Sequence, residues 1–145
     1  MKRFDFRLQK AFEWRSMQVR LAESALERLQ AELRDIESAK QKVREERDRA
    51  GRSLIATGSA TGVELAFLAS FRKAADVELA RLEKQRTDCR QRLDAYVPLV
   101  LESRRNERVL EQLREKQLSQ WNAAANRELD SQAAESHLAR WHFSH

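Results

Sequence analysis

Gly51, Gly58 and Gly62 are the only glycines in the chain, and they are the residues that would have to build a phosphate-cradling turn. They do not fall in the GxxxxGK[ST] pattern, in which backbone amides and a lysine surround the phosphates, so nucleotide hydrolysis is not expected. His137, His142 and His145 crowd the C-terminal stretch. Only the last two can share a helix face, and no cysteine or second ligand pair lies near them, so solvated histidines are expected and no metal site. Cys89 is the single cysteine, which excludes an intramolecular disulfide and gives no sign of an oxidising compartment. Its neighbours offer little beyond Arg86 to lower its pKa, so a small core residue is expected rather than a reactive thiol. Acidic pairs are plentiful, but without a concave cleft nothing shifts their pKa values toward acid–base work. The chain reads as a non-enzyme with no cofactor.

Aromatic residues carry a different kind of chemistry, that of contact. Phe67 and Phe71 stand one helical turn apart, off the main apolar stepping. Two readings stay open for them, an exposed aromatic ridge for a partner or packing along the flank of a narrow core. Trp14, Trp121 and Trp141 also fall outside the best core positions, where exposed tryptophans act as contact anchors; flank packing is the simpler account of Trp14.

The elements that position these residues follow from composition and spacing. Charged residues make up 35% of the 145-residue chain against 7% aromatic, and with one proline and three glycines there is room for few turns. Apolar residues step by four and three through Leu8, Phe12, Val19, Ala22, Leu26, Leu29, Leu33, Ile36, Val43, Ala50 and Leu54. That spacing is a heptad seam, interrupted by Arg15, Lys40 and Arg47, and it predicts a helix over 4–55. At 56–62 the sequence becomes Ala-Thr-Gly-Ser-Ala-Thr-Gly, a turn in which Gly58 suits a left-handed helix cap and Thr61 with Glu64 opens the next helix. The second helix, expected over 63–141, repeats the stepping through Leu65, Leu68, Ala75, Leu79, Leu82, Cys89, Leu93, Tyr96 and Val100, with Arg72 and Arg86 as its basic interruptions.

An antiparallel hairpin then zips the two seams together. The register expected sets Ala50 by Leu65, Ile36 by Leu79, Leu33 by Leu82, Leu26 by Cys89 and Val19 by Tyr96, with a shift of one heptad as the alternative. In that register no two seam cations face each other, whereas a parallel homodimer would stack each on its own copy. Pro98 removes a helical hydrogen bond and predicts a kink near Val97. Beyond Leu113 no first-helix residue remains to pair, so a C-terminal helical overhang is expected. The fold class is thus all-α: a long antiparallel two-helix coiled-coil hairpin, kinked near Pro98, in a single domain over 1–145.

The net charge is +5, but opposite signs alternate, as in Arg44, Glu45, Glu46, Arg47, Asp48 and Arg49. Such interleaving is a solvated helix face and argues against a nucleic-acid surface. Near the N-terminus, Asp5, Arg7, Gln9 and Lys10 break any apolar run before a signal peptide or membrane span forms, which points to a soluble, cytosolic chain.

Phe4-Asp5-Phe6-Arg7-Leu8-Gln9-Lys10 resembles the F-x-F-R-[LF]-Q-K opening of the flagellar export protein FliJ family, and Leu110-Glu111-Gln112-Leu113-Arg114-Glu115-Lys116-Gln117 resembles its later [LF]-E-x-[LM]-R-E-K-Q motif. Glu128-Leu129-Asp130 and Ala133-Ala134 are similar to the family's acidic C-terminal stretch. The resemblance implies a cytoplasmic, non-catalytic component of the flagellar type III export apparatus, similar in shape to the gamma stalk of rotary ATPases. Its joined N- and C-terminal helices would enter the ring of the export ATPase FliI and promote its assembly. The hairpin tip would reach the export gate FlhA, with export chaperones as further partners and membrane association only through them. On this resemblance Phe4, Phe6, Leu113, Arg114 and Lys116 are the ATPase-contact candidates, and Phe67 and Phe71 the gate-contact candidates. The first helix lacks the tyrosines that the family carries on its side of the gate surface. The expected register sets Phe4 beside Glu111 and Phe6 beside Val109, which brings the two motifs together; a monomer is expected. The equivalent stalk of a non-flagellar type III system shares this fold, and a dimerising coiled-coil scaffold or a nucleic-acid binder are readings of other classes.

Overall fold

The computed structural model describes residues 2–59 and 61–144. Two α-helices account for nearly all of them, α1 over Gln9–Ala56 and α2 over Gly62–Phe143, and no strand occurs among the described residues. The chain is an all-α helical hairpin with one turn. It divides into two compact units: a turn unit, Leu21–Val100, and a terminal unit of Met1–Arg20 with Leu101–His145.

The turn forms where its residue types require it. Gly58 adopts φ 71°, a left-handed conformation that glycine takes without steric cost, and its amide donates to the Ile55 carbonyl at 3.2 Å. Thr57 Oγ1 donates to the Leu54 carbonyl at 2.7 Å, satisfying an acceptor that the helix end leaves open. Across the turn the Glu64 amide donates to Thr61 Oγ1 at 3.2 Å, so Thr61 caps α2 as its spacing from Glu64 indicates. Ala60, inside the expected turn, lies outside the described residues, as do Met1 and His145.

In the turn unit the core is a single stripe from each helix. Ala22, Ile36, Ala75, Leu82, Cys89, Leu93 and Val100 are buried, and Cys89 is fully enclosed. Its Sγ donates to the Leu29 carbonyl at 3.5 Å, and burial together with the Glu32 charge pushes the thiol pKa up. Cys89 is therefore an unreactive seam residue.

The seam forms, but in the alternative register, one heptad from the one expected. Arg47 Nη1 pairs with Asp76 Oδ1 at 2.8 Å, Arg92 Nη2 with Glu32 Oε1 at 3.0 Å, Lys40 with Glu83 and Arg86 with Glu37. These bonds set Val43 near Leu79 and Leu33 near Cys89, not Leu82. Both registers keep apolar residues on apolar residues and cations apart, so neither criterion separates them. The flanking charges do, because the expected register would place Arg47 opposite Leu68, seven residues or more from Asp76, and take Arg86 equally far from Glu37.

The basic interruptions of the seam are accommodated one by one. Lys40 is 7% exposed, deeper than an outward-reaching lysine, and its ammonium ends on Glu83. The Arg72 guanidinium lies across Gly51, where an added Cβ would stand 2.6 Å from its Nη2, a contact that the flexible arginine can relieve by shifting. α2 runs through Pro98 without a break. The Asp94 carbonyl loses its helical donor there, but the proline ring is exposed while Leu93 and Val100 on either side are buried. That packing holds the helix together across a residue that costs about 3 kcal/mol in a helix interior.

In the terminal unit α1 begins at Gln9, not at Phe4, because residues 2–6 have no regular structure. The Gln9 amide donates to the Phe6 carbonyl at 3.0 Å, and Phe6 is 4% exposed. A continued helix would carry Phe6 along its own surface; the open chain lets the ring turn into the core instead.

Two consequences for stability follow. Leu82→Ala, at a position 5% exposed, should cost about 2–4 kcal/mol, seen as a lower urea midpoint with unchanged slope. The hydrogen bond from Lys40, then the Lys40, Arg86 and Arg44 charges, holds the Glu83 carboxyl below its ordinary pKa. A carboxylate depressed on folding contributes stability above its unfolded pKa and loses it as the pH falls through the folded value. Thermal midpoints should therefore drop below the ordinary glutamate range, and Glu83→Gln should flatten that part of the profile.

Candidate functional site

The sequence candidates fall into two groups, one in each unit. In the terminal unit, Phe4 is half-buried and meets Trp121 edge-on with ring centroids 6.0 Å apart. Such a T-shaped pair adds to the burial of both rings. The expected neighbour of Phe4, Glu111, is displaced for two reasons. The register is one heptad later, and open chain advances about 3.3 Å per residue against about 1.5 Å in a helix, so residues 2–8 reach further along α2. The same geometry extends the paired region to Trp121 rather than ending it at Leu113. The overhang begins later: every described residue from 126 to 144 is exposed.

Arg114 Nε donates to Gln9 Oε1 at 3.2 Å. Arg3, Phe4, Asp5, Phe6, Gln9 and Arg114 line a recess of about 420 Å³ with a mixed polar and apolar wall. Leu113 and Arg114 are half-buried and Lys116 is exposed, so charge stands at the surface beside an aromatic base. Phe6 is the exception among the candidates. It is buried and offers a partner almost nothing; its role is to anchor the open N-terminal stretch. Trp14 is 53% exposed, which answers the flank-packing account, and its ring carries the Arg15 guanidinium at 4.9 Å, a cation–π arrangement that leaves one face of the indole outward.

In the turn unit, Phe67 is 73% exposed and Phe71 half-buried, so the aromatic ridge is real for Phe67 and only partial for Phe71. Together with Ala50, Leu54, Val63 and Leu68 they line an open, largely apolar groove of about 630 Å³. Sequence reasoning missed Val63, although Val63, Phe67 and Phe71 follow the i, i+4, i+8 spacing of one helix face. Leu65, a seam position by heptad stepping, is 53% exposed.

Among the described residues no group of three His, Cys, Asp or Glu side chains is placed to hold a metal ion, and no helix is long and apolar enough to cross a membrane. What the arrangement can do is bind: an arginine, a lysine and an aromatic pair in one unit, an apolar groove in the other. Comparison with protein-family models, curated proteins and solved structures finds no match.

Trp121→Ala should leave the helical content unchanged while loosening residues 2–8. Tryptic cleavage after Arg7 should then rise roughly fivefold, corresponding to about 1 kcal/mol for a ring pair of this kind.

Proposed function

We propose that this chain is a non-catalytic component of the flagellar type III protein export apparatus, a FliJ-like stalk that binds the export ATPase FliI, promotes assembly and activity of its ring, and couples it to the export gate FlhA. Export chaperones are further partners, and the protein works in the cytoplasm, at the inner membrane only through the apparatus it joins.

The observation that carries this reading is the hydrogen bond from Arg114 to Gln9. Those two residues belong to the two stretches that resemble the family, separated by more than a hundred residues in sequence. A surface composed from both motifs is what a ring-contacting end requires. On this reading Phe4, Leu113, Arg114 and Lys116 meet the ATPase, with Phe6 holding the N-terminal stretch in place. Arginine at such a surface gives directional, charge-assisted bonds to carboxylates. The groove beside Phe67 and Phe71 is the gate contact, an apolar slot of the type that receives a hydrophobic anchor.

Replacing both Arg114 and Lys116 by glutamate, with helicity held constant by circular dichroism, should abolish stimulation of the ATPase. Unchanged stimulation would remove the terminal unit from the interface. Phe67→Ala should weaken FlhA capture at least tenfold in a pull-down while leaving FliI capture intact.

A further inference from the structure

The flanking ion pairs of the turn unit decide between two registers that its seam cannot tell apart. Sliding the helices by one heptad preserves apolar-on-apolar packing along the stripe and keeps the seam cations staggered. It also has a gain. Leu65, now 53% exposed, would come to lie by Ala50. Against this, the slide would separate Arg47 from Asp76, Arg86 from Glu37, Arg92 from Glu32 and the buried Lys40 from Glu83, and, because both helices run on unbroken, Arg114 from Gln9 and Phe4 from Trp121. Of these, only Lys40 finds a replacement, in Asp76. A buried lysine at a seam position is a known way to fix register, because its charge must end on a carboxylate wherever the helices stop.

The turn end has the slack such a slide needs. Ile55 and Val63 are 77% and 81% exposed, and the open groove between the Ala50–Thr57 and Val63–Phe71 stretches shows little interlocking there. Residues of the α1 end can pass into the turn, and the α2 start can be rewound, without emptying a packed core.

We propose that the turn unit is a two-register device, held as observed by its flanking ion pairs and able to slide by one heptad when those pairs are weakened. A partner or modification that neutralises Glu37 or Glu83 would thereby move the face carrying Phe67 and Phe71 relative to α1, which changes the groove without unfolding either helix.

Cysteine pairs in the full-length chain, on a Cys89→Ala background, distinguish the registers. Val43→Cys with Leu79→Cys reports the present one, and Ile36→Cys with Leu79→Cys the slid one; in the present register the second pair is about 10 Å apart along the axis, beyond disulfide reach. With native charges at low salt, mild oxidation should close only the first pair. Adding Glu37→Gln and Glu83→Gln, which spares the Lys40 and Asp76 contact of the slid state, should raise closure of the second pair at least tenfold. If that pair stays reduced while helicity is kept, the register does not depend on these flanking charges, and the proposal is overturned. Should the glutamine variants lose helicity, the native-charge pairs at about 1 M salt, where exposed ion pairs are screened, decide the matter. Closure of the second pair supports the slide, and its absence overturns it.

Discussion

Two helices packed against each other bury one stripe apiece, and everything else about this chain follows from that scarcity. A broad core holds its elements in place by shape alone; a single stripe repeats itself every heptad and looks much the same after a slide. The positions beside the stripe must then carry the information that a larger core would hold. Here they do so through the bonds from Lys40, Arg47, Arg86 and Arg92 to carboxylates on the opposite helix. Individually the exposed pairs of Arg47, Arg86 and Arg92 contribute little. As a set with one common register they select among arrangements of nearly equal apolar burial.

That is also why some of the structure was legible in the sequence and some was not. Heptad stepping, the small-residue turn and the Thr61 cap are local patterns, and each forms where its residues stand. The fold class follows from them directly. Register is a relation between distant segments, and a periodic seam gives the same answer at every heptad; the flanking glutamates and arginines held the missing information. The start of α1 failed for a different reason. Residues 4–8 are adequate helix formers, but burial of Phe6 and the ring contact of Phe4 with Trp121 outweigh local propensity, a tertiary effect that spacing does not display.

The candidate surfaces divide in the same way. Arg114, Leu113 and Phe4 gather in one unit as their motifs suggest, but Phe6 is consumed by the core, and Trp121, expected off the seam as an exposed contact anchor, packs on Phe4 of the N-terminal stretch. Near the turn, Phe67 and Phe71 share their groove with Val63 and Leu54. Lys116 and Trp14 are exposed and add a charge and an indole to the accessible surface. The described side chains offer aromatic faces, forked cations and an apolar slot.

The final stretch of α2 has a consequence of its own. From residue 126 to 144 every described residue is exposed, so this stretch draws little on burial and leans on backbone hydrogen bonding and intrinsic preference, which in water sustain a segment of that length only marginally. A segment of this kind that orders on contact gives up part of its affinity to the ordering entropy, which favours attachments that release quickly.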